Sequence, residues 1–164
     1  MWSKVVYLTC FLSLGHGCPG GWLPHGQSCY HTSNEDESWI DAMKLCNIHG
    51  GYLAHIMDEE ENRFIVSLLH QSQSNSFWIG GSDWTIAGTW VWEPLGIKFN
   101  YSNFADDRPN NYHGENCLSI RVDNQQWDDD DCDEQRRYVC EKSFWLFTWM
   151  APFQEFLLPC IERG

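Results

Sequence analysis

Apolar and polar positions change their period along this chain. In "SWIDAMKLCNIHGG", Trp39, Ala42, Met43 and Cys46 recur at three and four, which predicts a helix with one apolar face. Ser38 can cap its start and Gly50-Gly51 stops it. "DEEENRFIVSLLHQ" predicts a second helix. Its acids fall in the first turn, where the helix dipole favours them, and Phe64, Ile65, Leu68 and Leu69 give its buried face. After "QSQSNS" the period shortens. "FWIGG" and "TWVWEP" are aromatic and β-branched runs between turn residues, and "CLSIRV", "QQWDD" and "RRYVCEK" alternate as strands do. Upstream, "CPGGWLPHGQSCY" reads as a hairpin with a cysteine near each end. Residues 93–116 lack periodicity and are rich in Asn, Asp, Pro and Gly; a loop this long is uncommon unless it is functional. Two helices followed by short antiparallel strands, with no repeat and no linker, predict one α+β domain.

Composition narrows the function classes. The chain has 164 residues and a formal net charge of -13. That argues against nucleic acid or an anionic membrane as partner and suits hard cations, which prefer carboxylate oxygens. Ten tryptophans argue against disorder. Residues 1–17 read as a signal peptide: Lys4, an apolar run from Val5 to Leu14, then small residues at Gly15 and Gly17. That run is too short to span a bilayer, so a secreted, extracellular chain beginning near Cys18 is expected, with no transmembrane segment. Cys10 leaves with the signal, and seven cysteines remain. Six can pair in an oxidising compartment, in a connectivity that composition does not assign. No CxxC pair, HExxH, GxSxG or paired-carboxylate cleft is recognisable, so neither structural zinc nor an enzyme is expected.

The ordered set "GW…CY", the helix with Cys46, "GGYLAHI", "FWIGG", "PNN…ENC", "WDDDDC" and "YVCEK" resembles the C-type lectin-like domain over about residues 18–142. The resemblance implies that family's fold: two helices, short antiparallel strands and a long loop region that binds Ca²⁺ and sugar. It also implies the disulfides Cys18–Cys29, Cys46–Cys140 and Cys117–Cys132, the first marking the long form of the domain.

In sugar-binding members of that family, a Glu-Pro-Asn or Gln-Pro-Asp loop, a later Glu and the Asn-Asp of a Trp-Asn-Asp motif surround one Ca²⁺, and two sugar hydroxyls complete the shell. The matching positions here are Arg108-Pro109-Asn110, Glu115 and Asp128-Asp129. The implied metal ligands are Asn110, Glu115, Asp128 and Asp129, with a cis Pro109 aiming the flanking side chains inward. Arg108, Asn110, Tyr112, Glu115 and Asp128 are the candidate sugar contacts. Arg108 departs from the pattern, because a guanidinium has no acceptor and cannot ligate a metal. About 4 Å from a unit positive charge it costs roughly 4 kcal/mol at an effective dielectric of about 20. Asp106, Asp107 and Asp128 are candidate partners that would draw it aside, leaving a weakened Ca²⁺ site. Asp83, Asn111 and Glu115 match part of a second Ca²⁺ site, with Ala87 where a fourth ligand belongs.

Sugar class is read two ways. The resemblance implies galactose-type ligands through Tyr112, at a position where that family's galactose binders often carry a ring that can cover a sugar's apolar face, and through the donor Arg108, closer to Gln than to Glu, whereas it makes Asn110 the mannose-type residue. Galactose-type or broad specificity is therefore expected, in glycan pattern recognition of the innate-immune kind. The alternative is a lectin-like domain that has lost its sugar site and binds protein or mineral, resembling the perlucin-type proteins of mollusc shell. Trp78, Trp90 and Trp92 are expected in the core, and His49, His55 and His70 in surface or core roles. Asn100 opens an Asn-Tyr-Ser glycosylation sequon. The aromatic tail, residues 143–164, is either a packing or dimerisation segment in which Cys160 bridges two chains, or a splicing artefact.

Overall fold

The computed structural model describes residues 17–112 and 114–143. The expected signal peptide, Cys10, His113 and the tail with Cys160 lie outside the described residues, apart from Gly17 and Ser143.

Both expected helices form. Helix α1 spans Trp39–Ile48, and the Ser38 hydroxyl accepts the Asp41 N–H at 3.2 Å. Helix α2 spans Glu59–Leu69, capped by Asp58, whose carboxylate accepts the Glu61 N–H at 2.9 Å. The buried face of α2 is Asn62, Ile65, Val66 and Leu69; Phe64 and Leu68 are only half-buried. Phe64 sits at the rim, its ring stacked on His25 with centroids 4.1 Å apart. That turns the apolar stripe by part of a turn from the expected one and carries Asn62 inward.

The strands are β1 (Leu23–His25), β2 (Ser28–Thr32), β3 (Tyr52–Leu53), β4 (Ser76–Ser82), β5 (Val91–Trp92), β6 (Ile97–Lys98), β7 (Cys117–Arg121), β8 (Trp127–Asp130) and β9 (Arg137–Ser143). Strand β9 pairs antiparallel with β2 and β3 and parallel with β4. The parallel pair departs from the expected antiparallel set. It is permitted because more than fifty residues, including the β7–β8 hairpin, separate the two strands, and a parallel return needs a long connection. Strand β4 also pairs with β5 and β7, and β7 with β8. The stretch 93–116 is not wholly irregular: β6 closes a hairpin on β5, and Phe104 bridges to Trp127.

Core packing holds this stretch in place. Trp78, Trp92 and Trp127 are fully buried and Trp90 nearly so. Phe99, Tyr101 and Phe104 set their rings edge-on to Trp127, with centroids 5.6–5.8 Å apart. Each such pair adds about 0.5–1.5 kcal/mol beyond the area it buries. A Cβ on Gly81 would stand 2.6 Å from Leu118 Cδ2 and 2.7 Å from Phe99 Cζ, so glycine there lets β4 pass between them without displacing either side chain. Three disulfides complete the frame. Cys18–Cys29 closes the first hairpin, Cys46–Cys140 ties α1 to β9, and Cys117–Cys132 spans the β7–β8 hairpin. These are the pairs the resemblance implied.

Candidate functional site

The candidate site forms where the long loop crosses the edge of β8. Trp127 starts that strand, with its ring in the core and its indole N–H donated to Asn62 Oδ1 at 2.8 Å. The loop backbone runs alongside: Trp127 N–H donates to the Asn103 carbonyl at 2.8 Å, and Ala105 N–H to the Trp127 carbonyl at 3.0 Å. Three residues on, Arg108 N–H closes a turn onto the Ala105 carbonyl. The Arg108-Pro109 bond is cis.

Asp129 is fully buried and clasps the loop. Its Oδ1 accepts the Asn110 N–H at 3.1 Å and its Oδ2 the Asn111 N–H at 2.5 Å. Asn111 has φ +50°, the left-handed region that asparagine tolerates better than most residues. Asn110 Oδ1 accepts the Tyr112 N–H at 2.9 Å, while the Tyr112 ring is 64% exposed.

Arg108 lies within this group rather than aside from it. Its Nε is 2.9 Å from Asp128 Oδ1, and its Nη1 is 3.4 Å from Glu115 Oε2 and 3.5 Å from Asp129 Oδ1. Nη1 donates to Glu115, whereas the Asp128 contact is an ion pair without a directed hydrogen bond. Of the partners anticipated from sequence, Asp128 pairs closely and Asp107 loosely, at 3.9 Å. The unanticipated partners are Glu115 and Asp129, two of the expected metal ligands. Burial pushes the Glu115 carboxyl above its usual range and Asp129 adds to this, against the pull of Arg108.

Arg121 was missed in the sequence. Its Nη2 and Nε donate to Asp128 Oδ2 at 2.6 and 3.0 Å, and Nη2 also reaches Asp130 Oδ1 at 3.2 Å. Burial opposes the charge on Arg121, but the Asp128 hydrogen bond and the Asp130 charge outweigh it and raise its pKa. Arg136 Nη2 reaches the same Asp130 oxygen, Oδ1, at 2.9 Å. Charges therefore alternate from Arg108 through Asp128, Arg121 and Asp130 to Arg136. The available signal was a lone Arg ending "CLSIR", facing a run of aspartates across a hairpin.

This arrangement does not fit a Ca²⁺ ion. Calcium needs about 6–8 oxygens at about 2.3–2.6 Å. Both Asp128 oxygens face guanidinium groups, both Asp129 oxygens hold loop N–H groups, and the Asn110 oxygen holds Tyr112. A divalent ion about 4 Å from Arg108 would meet roughly 8 kcal/mol of repulsion at an effective dielectric of about 20. Among the described residues, no three His, Cys, Asp or Glu side chains are grouped as a metal centre. At the expected second site, Asp83 is buried and turns its Oδ2 to the Gly88 N–H at 2.7 Å, within its own loop. Asn111 is tied by its backbone to Asp129 instead. Beside Arg108 and Arg121 a polar cleft of about 370 Å³ opens, bounded also by Asn75, Asp123 and Asn124.

The family model described as "Lectin C-type domain" matches residues 35–142. The chain is 35% identical over 127 residues to the perlucin-like protein of Mytilus galloprovincialis, covering 75% of this chain and 81% of that protein. It is 30% identical over 149 residues to the galactose-specific lectin nattectin of Thalassophryne nattereri, covering 84% of this chain and 93% of that one. It is also 34% identical over 150 residues to asialoglycoprotein receptor 2 of Homo sapiens, covering 83% of this chain but spanning only 46% of that protein. The carbohydrate-recognition domain of the mouse scavenger receptor C-type lectin superposes with a TM-score of 0.71 at 32% identity, covering 77% of this chain and 96% of that domain.

Proposed function

This chain belongs to the C-type lectin domain family, and on that premise we propose that it is a secreted carbohydrate-binding protein whose ligand face is the loop edge of β8. The family is one of carbohydrate-binding proteins that are not enzymes, and the chain is not an enzyme. The observation that carries the sugar reading is the convergence of Arg108, Glu115, Asp128 and Asp129 beside the exposed Tyr112 ring. Sugar hydroxyls both donate and accept, so mixed guanidinium and carboxylate edges suit them, while an aromatic face covers the apolar side of a pyranose. Arg108, Asn110, Tyr112, Glu115 and Asp128 are the contacts, and the adjoining cleft has room for a further residue of a glycan. Galactose-type or broad specificity in glycan recognition by innate immunity is the reading. It is supported by the Tyr112 ring and by likeness to a relative whose name is that of a galactose-specific lectin.

C-type lectin domains typically bind Ca²⁺. For Asn110, Glu115, Asp128 and Asp129 to hold one here, Arg108 would first have to leave the cluster, and the sugar reading does not require that. Secretion is supported by the three disulfides, which persist in oxidising compartments, and residues 18–142 are the binding domain. Among the described residues no helix is long and apolar enough to cross a membrane. Asn100 is exposed and accepts an N-linked glycan in this reading; Cys160 links two chains. The net charge of -13 and the likeness to a perlucin-like protein favour a second reading, in which the same fold binds mineral.

A glycan array separates the two. The wild type is expected to bind a subset of glycans, with Tyr112→Ala weakened about tenfold through loss of the ring contact. Binding to carbonate mineral with no glycan above background would overturn the sugar reading in favour of the second.

A further inference from the structure

We infer that Arg108 is the resident cation of this site. Its guanidinium stands where a divalent ion would have to stand and does the ion's structural work, so the chain takes up no Ca²⁺ there. The inference concerns the same face as the sugar reading and rests on that reading only for its bearing on ligand binding.

Three carboxylates, Glu115, Asp128 and Asp129, lie within 3.5 Å of the Arg108 guanidinium, and three like charges do not stay near one another uncompensated. Arg108 compensates them from inside, touching all three through Nε and Nη1. A guanidinium suits this role because it is planar, presents several donors in a fixed fork and does not lose its proton at any ordinary pH. It is also covalently part of the loop. Its local concentration does not depend on the medium, as that of a free ion does.

The surroundings are built for this cation. Asp128 is gripped on its other oxygen by Arg121, which is held in turn by Asp130 Oδ1, the oxygen that Arg136 also contacts. Asp128 thus lies between two guanidinium groups, with Oδ2 hydrogen-bonded to Arg121 and Oδ1 ion-paired with Arg108. Asp129 spends both oxygens on the backbone of Asn110 and Asn111, the residues that follow Arg108-Pro109. The loop that delivers the guanidinium is therefore fastened by one of the carboxylates the guanidinium neutralises. Arrangement of the carboxylates and placement of the loop form one device, complete without an added ion.

Calorimetric titration of CaCl₂ into the EDTA-stripped, full-length protein tests this. The wild type is expected to show no saturable uptake into the millimolar range. Arg108→Gln removes the charge and supplies an oxygen, and is expected to take up Ca²⁺ at least about tenfold more tightly than the wild type, within the range of extracellular modules. Arg108→Glu is the second variant should the first fail to fold, and a rise in Tm on adding CaCl₂, in the variant alone, is the second readout. Uptake by the wild type as tight as by the variants would overturn the inference. So would silence from folded variants, because the place filled by Arg108 would then not be a cation position. The titration needs no sugar: failure to find a glycan, with the metal result as expected, sinks only the carbohydrate reading.

Discussion

At the scale of the residue, charges buried beside partners decide what this protein does. Arg108 was legible in the sequence as a departure from the family pattern, but its surroundings were not. The expectation drew it aside towards nearby aspartates, whereas Glu115 and Asp129 reach it only after the loop has folded over β8. Glu141 shows the same limit: "YVCEK" reads as a strand but does not reveal that its carboxylate is buried. The Oε1 of Glu141 accepts from Ser28 at 2.7 Å and Tyr52 at 3.2 Å, and Oε2 accepts the His55 N–H at 3.0 Å. Burial lifts its pKa to about 7. The folded state then holds a proton that the unfolded state has already released between about pH 4.5 and pH 7, so this group's contribution is fully present below the lower value and is lost as pH rises through the upper one. Glu141→Gln does not ionise. The stability of wild type minus variant should therefore fall by on the order of 3 kcal/mol between pH 4 and pH 8. Urea melts at the two pH values measure it; a constant difference would show that Glu141 has the same pKa in the folded and unfolded states.

At the scale of the element, the β7–β8 hairpin and the long loop were both legible as segments, from alternation in "CLSIRV" and "QQWDD" and from its absence between 93 and 116. Their mutual placement was not, because it depends on rings that meet across the fold: Phe99, Tyr101 and Phe104 around Trp127. Nor was the parallel pairing of β4 with β9, which no local period encodes. Asn62, on the inward face of α2, is the hinge between helix and site, since it accepts the Trp127 indole N–H. Asn62→Ala leaves that buried donor unpaired and should cost about 1–3 kcal/mol. Because Trp127 leads directly into Asp128 and Asp129, glycan affinity should fall with it. Denaturant unfolding and a binding titration check the two effects. A variant that loses stability but keeps full affinity would uncouple α2 from the ligand face.

At the scale of the whole molecule, cross-links and charge set the conditions of work. Cys46–Cys140 closes a loop with a sequence separation of 94, so its removal releases much chain entropy in the unfolded state. The double replacement Cys46→Ala/Cys140→Ala should lose about 2–5 kcal/mol of stability, read by chemical unfolding. The cysteine count and the family resemblance make this frame legible in the amino-acid sequence. They do not say whether the acidic loop, in a chain of net charge -13, needs a metal to hold together. The fold answers with a side chain, Arg108, seated among the carboxylates. The most direct measurement is the affinity of the wild type for its best array glycan, titrated once in EDTA and once in millimolar CaCl₂. A site completed by Arg108 predicts two affinities that agree within about threefold, less than about 1 kcal/mol. Loss of binding by more than about tenfold in EDTA would contradict it and return the site to calcium.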